Sequence, residues 1–104
     1  MQFLLLADHT PEMCPLTNSK VRKHVVKLVP EWSKIAQKLG VKFLAGPIVN
    51  NEHMVVSIIE AEDTETVAEF INQSGMQQWN NVRAIPSTPI EDAIKRYDLV
   101  DPIL

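Results

Sequence analysis

Cysteine and glycine are both scarce in this chain of 104 residues, which contains one cysteine and three glycines. A single cysteine excludes a disulfide within the chain, although one between two copies stays open. The sequence also has no glycine-rich phosphate loop, no serine nucleophile elbow and no Cys-x-x-Cys pair. The residues left to carry chemistry are therefore mainly one thiol and three histidines.

Long apolar runs and clustered charge are missing as well. No apolar run approaches the roughly 20 residues of a membrane-spanning helix. The formal net charge is −3 with the two signs interspersed, so the basic surface of a nucleic-acid-binding protein is not expected. The first residues lack the basic region and the long apolar region of a signal peptide. We therefore expect one domain over residues 1–104, in the cytoplasm, with neither nucleic acid nor membrane as a partner.

Four short apolar runs are typical of β-strands. They lie at residues 2–8, 41–49, 53–61 and about 81–86. Gly46 and Pro47 make the later part of the second run an edge strand or a bulge. Asn50, Asn51 and Glu52 form a turn signal, so the second and third strands are predicted to form a hairpin.

Two longer stretches have helical periodicity. Apolar side chains recur every three or four residues over residues 21–39, with Asn18 or Ser19 as the predicted N-cap. Pro30 interrupts this stretch and should kink the helix or split it in two. A second helix is predicted over residues 63–75.

The resulting order is β-α-β-β-α-β, followed by a short C-terminal helix that a capping box at residues 88–91 introduces. This order is a ferredoxin-like α+β plan. Right-handed crossovers in that plan place the first strand between the third and the fourth, antiparallel to both. The end of the first strand then lies beside the start of the third.

His9 and Cys14 follow the first strand, and His53 opens the third, so these side chains are expected to converge. Imidazole and thiolate are ligands that suit zinc, copper, nickel and iron. We therefore predict a transition-metal site made of His9, Cys14 and His53, with an open position for water or a substrate. Glu12 is predicted as a fourth ligand or as an acceptor for an imidazole N–H. Storage, sensing and catalysis all stay open as the role of the metal.

Other kinds of site use some of the same residues. Cys14, close to a histidine and to a helix start, can be a nucleophile or a redox-active thiol. A cofactor-free or haem-dependent pocket enzyme would group His9 with Ser57, Trp79 and Arg83 between the sheet and the helices. In that case Arg83 would bind a carboxylate or a haem propionate. A non-catalytic binding or regulatory module is the remaining alternative.

A more specific pattern begins at residue 40. Residues 40–46 (GVKFLAG) are followed by residues 55–63 (VVSIIEAED), and then by Trp79 and residues 82–86 (VRAIP). This succession resembles the small dimeric α+β-barrel proteins, in particular families of unknown function. The resemblance implies a homodimer in which two four-stranded sheets enclose a barrel. That superfamily includes muconolactone isomerase-like enzymes, quinone-forming monooxygenases, haem-handling proteins and a nickel-binding branch, so the resemblance implies a fold and leaves the activity open.

Overall fold

The computed structural model describes residues 1–104 and has the α+β architecture that the sequence predicts. One antiparallel sheet of four strands is combined with four helices. The strands are β1 (Gln2–Asp8), β2 (Lys42–Val49), β3 (Met54–Glu60) and β4 (Asn81–Ser87). The helices are α1 (Ser19–Leu28), α2 (Trp32–Leu39), α3 (Thr64–Ser74) and α4 (Ile90–Ile94).

Strand β1 lies inside the sheet, whose order is β2-β3-β1-β4. It pairs antiparallel with β3 on one side and with β4 on the other. Asp8, its last residue, is opposite Met54 of β3 and opposite Asn81 of β4. The end of β1 therefore meets the beginnings of both neighbouring strands, and the sheet is compatible with a ferredoxin-like fold.

Strand β2 lies at one edge of the sheet and is irregular. Its pairing with β3 shifts register between Phe43 and Ala45, and again between Ala45 and Ile48. Gly46 and Pro47 lie in the second of these intervals, so the predicted irregularity is present at the expected place. Two unpaired positions are tolerated at an edge because no further strand needs their backbone groups.

The helices cover one face of the sheet and leave the other face open. Phe3, Leu5 and Ala7 of β1 are buried under the helices. Leu4 and Leu6 point to the opposite face and are only half-buried. Because side chains alternate along a strand and paired residues point to the same side, this pattern shows to which face of the sheet each partner of a β1 residue points.

Two tryptophans stack in the core beneath the helices. Trp32, the first residue of α2, lies with its ring centroid 6.3 Å from that of Trp79, and the planes differ by 12°. The Trp32 indole Nε1 donates a hydrogen bond of 2.9 Å to the carbonyl oxygen of Ser74, at the end of α3. Both rings are buried. These two contacts join the start of α2 to the end of α3 and to Trp79, which follows α3.

The helix break at Pro30 has the predicted form. Helix α1 ends at Leu28 and α2 begins at Trp32, and the three residues between them form one 3-10 turn that contains Pro30. A proline in a helix interior loses a hydrogen bond and clashes with the preceding turn, whereas at the start of a new helix it does neither. The single predicted helical stretch is therefore two helices.

Side-chain caps begin two of the helices. Asn18 Oδ1 accepts hydrogen bonds of 3.1 Å from the first turn of α1. Asp63 Oδ1 accepts from the hydroxyl of Thr66 at 2.6 Å and from its backbone N–H at 2.8 Å, and these bonds lower the pKa of the Asp63 carboxyl. The predicted capping box before α4 is wrong, because Pro89 is the N-cap and Thr88 makes no capping bond. A proline at that position leaves Thr88 too far back to reach the first free N–H groups.

The C-terminal segment projects from the rest of the chain. The radius of gyration is 16.1 Å, whereas a compact domain of this size has about 13 Å. From α4 onward the apolar side chains are exposed; they are Ile90, Ile94, Tyr97, Leu99, Val100, Ile103 and Leu104. None of the helices combines the length and the apolar character needed to cross a bilayer.

Two glycines with nearly the same positive φ provide a matched stability test. Gly40 has φ 76° and Gly46 has φ 77°, both in the left-handed region. A Cβ at Gly40 meets nothing within 4 Å, whereas a Cβ at Gly46 lies 2.5 Å from the carbonyl oxygen of Val56. Gly40→Ala should cost only the left-handed backbone penalty of about 1–2 kcal/mol. Gly46→Ala should cost about 1–3 kcal/mol more, since β2 has to move away from β3. Urea unfolding measures both, and equal losses would contradict this account.

Candidate metal centre

His9, Cys14 and His53 come together at the end of β1. One ligand atom from each residue lies within 4.8 Å of the ligand atoms of the other two. The imidazole rings of His9 and His53 are in edge contact, with centroids 5.4 Å apart and planes at 69°. Cys14 is buried and both histidines are half-buried. Two nitrogen donors and one sulfur donor are therefore held together and largely away from water.

Strand pairing puts His9 in this position. Its backbone N–H donates to the carbonyl oxygen of His53 at 3.1 Å, which continues the β1–β3 ladder by one residue. Because Asp8 is opposite Met54, the next residue along β1 is opposite His53. On the β4 side Asp8 is opposite Asn81, so the same step places His9 beside Asn80. The histidine is held between an imidazole on one side and an amide on the other.

The contact with Asn80 determines which nitrogen of His9 carries the proton. Asn80 Nδ2 donates a hydrogen bond of 3.0 Å to the carbonyl oxygen of Met76, which fixes the orientation of the amide. Its Oδ1 then lies 3.0 Å from His9 Nδ1. An amide oxygen only accepts, so Nδ1 must be the protonated nitrogen of His9. Nε2 is left with a free lone pair, which is the form that binds a metal.

The Nε2 atom of His9 is buried and has no hydrogen-bond partner. It is the only buried side-chain nitrogen or oxygen atom of the chain in this condition. Leaving such an atom without a partner costs about 1–3 kcal/mol, and native structures rarely do so without a reason. An unpartnered lone pair beside a thiol and a second imidazole therefore has a ready explanation as a ligand.

The loop that carries Cys14 is held by its own backbone. The Cys14 N–H donates to the carbonyl oxygen of Pro11 at 3.2 Å, and the Cys14 carbonyl oxygen accepts from the N–H of Asn18 at 2.8 Å. Asn18 Nδ2 also donates to the carbonyl oxygen of Glu12 at 2.9 Å, so the helix cap and the loop share one residue. Such a loop loses little conformational entropy when its thiol binds a ligand.

The predicted role of Glu12 is not found in the structure. Its side chain is exposed and does not belong to the cluster. The 3-10 turn at Pro11–Met13 uses the Glu12 carbonyl oxygen as a backbone acceptor and directs the carboxylate outward. The acceptor for the imidazole N–H is Asn80 instead.

His53 is held in a left-handed backbone conformation, with φ 59°. It ends the tight connection between β2 and β3, in which the N–H of Glu52 donates to Asn50 Oδ1 at 2.9 Å. A non-glycine residue in this conformation costs roughly 1–2 kcal/mol. Strained residues of this kind cluster at functional sites. The turn therefore orients His53 toward His9 at a cost in backbone energy.

The residues of the predicted enzyme pocket do not share one pocket. Ser57 pairs with Leu5, so it faces the helices and is buried. Arg83 pairs with Leu6, so it lies on the open face, where it is exposed. Trp79 is part of the stacked core. The structure therefore places Ser57 and Arg83 on opposite faces of the sheet, because facing depends on the register between strands, which the sequence pattern of one strand does not contain.

Two residues of the site were missed in the sequence. Asn80 stands directly before β4, and the same register argument that placed His53 beside His9 would have placed Asn80 on its other side. Arg22 of α1 lines a cavity of about 420 Å³ next to the cluster, together with His9, Cys14 and His53. The sequence did contain a signal for Arg22, because this residue lies one turn into the helix that follows the Cys14 loop.

No protein-family model, curated protein or solved structure matches this chain. The four-stranded antiparallel sheet is compatible with the resemblance to dimeric α+β-barrel proteins, and membership of that superfamily stays a prediction. Functional conclusions therefore depend on the geometry of the cluster.

The proton position on His9 can be tested without a metal. Long-range proton–nitrogen NMR spectra of the metal-free protein should show His9 protonated at Nδ1, because Asn80 Oδ1 needs a donor there. Asn80→Ala removes the acceptor, so the spectrum should move toward the Nε2-protonated form. His24, which is exposed on α1, is the internal reference. A His9 proton on Nε2 in the unaltered protein would contradict the assignment.

Proposed function

We propose that this protein binds one transition-metal ion through His9, Cys14 and His53. The observation that carries the proposal is the buried, unpartnered Nε2 of His9 beside a thiol and a second imidazole. A metal bond gives this nitrogen the partner it lacks. Asn80 supports the ring from behind, as second-layer acceptors do for metal-binding histidines.

The spacing of the ligand atoms suits a single ion. Zinc bonds of about 2.0–2.3 Å to nitrogen and sulfur place tetrahedral ligand atoms roughly 3.3–3.8 Å apart. The three atoms of the cluster are within 4.8 Å of one another before any ion is bound. They therefore have to close by about 1.5 Å at most, which side-chain rotations achieve.

Three protein ligands leave one coordination position open. Structural zinc sites use four protein ligands, whereas catalytic sites keep a position for water or a substrate. The cavity beside the cluster provides space at that position. The donor set thus favours a reactive or ligand-binding metal over a purely structural one.

The nature of the donors favours a bare ion over the alternative cofactors. Two imidazoles and a thiolate suit zinc, copper, nickel and iron. A haem held by His9 would need the space that Cys14 and His53 occupy around that ring. A redox role for Cys14 would require a second thiol from outside the chain. Metal binding uses all three residues, and the alternatives use one or two.

Elemental analysis of protein purified without chelators tests the proposal. We expect about one metal ion per chain in the unaltered protein, since three preformed ligands hold it. His9→Ala, Cys14→Ser and His53→Ala should each lose most of it. His24→Ala is the matched control and should retain the metal, because His24 is exposed and outside the cluster.

Added metals complete this test. The metal-free protein is mixed with zinc, copper, nickel or iron and passed through a desalting column. If it retains none of them while Cys14 reacts normally with a maleimide, the metal proposal is wrong and the thiol alternative gains weight.

We also propose that a second copy of the chain covers the open face of the sheet. Ile48, Ile58 and Ile85 lie on this face and are exposed by 65%, 39% and 38%. Leu4 and Leu6 lie between them and are half-buried. A contiguous apolar patch of this kind is typical of an interface. The two sheets would then face each other as in a dimeric barrel.

Ile58→Lys tests this arrangement. The charge should separate the copies, because it would be buried without a partner in the dimer yet exposed in the single chain. Val29→Lys is the control, since Val29 has nearly the same exposure, 38%, but lies on the helical side. Light scattering after size exclusion should give a dimer for the unaltered protein and for Val29→Lys, and a folded monomer for Ile58→Lys. A monomeric unaltered protein would contradict the proposal.

A further inference from the structure

The cavity beside the cluster has the size and lining of a small-molecule site. Its volume is about 420 Å³, within the roughly 300–1,000 Å³ of typical ligand pockets. Val25 and Val26 of α1 and Val49 of β2 give its lining aliphatic surface, whereas the His9–Cys14–His53 cluster, Asn50 and Asn51 give it polar groups. An occupant would therefore contact both aliphatic side chains and the metal ligands.

Arg22 is the only permanently charged residue that lines this cavity, and no carboxylate lines it. Its Nε donates to the carbonyl oxygen of Pro15 at 2.8 Å, and its Nη2 donates to that of Leu16 at 2.6 Å. No Asp or Glu oxygen lies within ion-pair distance of Arg22. The two ion pairs of the chain involve Lys34 and Lys95 instead. The guanidinium is thus fixed in place with its charge uncompensated.

The two carbonyl contacts do not use all the hydrogen-bond donors of the Arg22 guanidinium. A guanidinium has five N–H donors, and the contacts use one each on two nitrogens. Holding the loop that carries Cys14 explains those two contacts. It gives no partner to the remaining donors of this exposed cation at the edge of the cavity. A fixed fork of free donors is well suited to a planar carboxylate.

We propose that the cavity binds a small organic carboxylate with a short apolar chain. The carboxylate lies toward Arg22 and the open metal position, and the chain lies along Val25, Val26 and Val49. The contact of the carboxylate with the metal rests on the metal site proposed above, whereas its contact with Arg22 does not need the metal. A single cation in the lining favours a singly charged group, since a phosphate would need more positive charge than this lining offers.

Calorimetric titration with a series of linear carboxylates, from acetate to octanoate, tests the proposal on the full chain. Each buried methylene should tighten binding roughly three- to fourfold until the cavity is filled. Hexanol, which has the same chain without the charge, should bind more weakly than hexanoate. The titrations are made with metal-free protein and with zinc-loaded protein, and hexanoate should bind the loaded form more tightly.

Three variants separate the charge of Arg22 from its contacts with the loop. Arg22→Gln should weaken hexanoate binding roughly tenfold and leave hexanol binding unchanged. Arg22→Lys keeps the charge and loses the fork, so it should retain part of the preference for hexanoate, less than the unaltered protein and more than Arg22→Gln. Lys23→Gln is the matched control, because Lys23 is exposed on the same helix and does not line the cavity.

The results distinguish this proposal from the metal site itself. Equal affinities for hexanoate and hexanol, or equal losses in Arg22→Gln and Lys23→Gln, overturn the carboxylate proposal even when the protein holds a metal. If Arg22→Lys shows no more preference for hexanoate than Arg22→Gln, a positive charge at position 22 does not attract the carboxylate and the proposal fails. If hexanoate binds through Arg22 to a protein that retains no metal, the carboxylate site stands and the metal site falls.

Discussion

Hydrogen bonding between β1 and its two neighbours fixes which residues surround His9. A slip of one residue in either pairing would turn the inward-facing side chains of the strand that slips away from the helices, and the lost burial makes such a slip unfavourable. The core thus enforces the register, and the register places His53 and Asn80 on either side of His9. The candidate metal centre takes its geometry from packing that lies several residues away.

The parts of the fold that depend on local patterns were predictable. Apolar periodicity gave the strands and helices, and Pro30 gave the break between α1 and α2. The convergence of His9, Cys14 and His53 was predictable because a topology rule brings the strand ends together. Parts that depend on side-chain direction were not predictable. Glu12 points outward because of a 3-10 turn, and the pairing between strands sets the facing of Arg83.

Two elements of different character build the candidate site. His9 belongs to the sheet, where ladder hydrogen bonds and Asn80 restrain it. Cys14 belongs to a loop, yet Asn18 and Arg22 tie that loop to the start of α1. Both donors are therefore positioned before any ligand arrives, which lowers the entropic cost of binding. Asn18 serves both the helix cap and the loop, and Arg22 serves both the loop and the cavity, so a change in either residue also affects the loop.

At position 53, stability and function pull in opposite directions. Glycine would adopt φ 59° without strain and would stabilise the turn, but it would remove an imidazole from the cluster. A chain optimised only for folding would not keep a histidine there. The histidine therefore keeps strain in the hairpin that a glycine would remove, and what it adds in return is the second imidazole of the cluster.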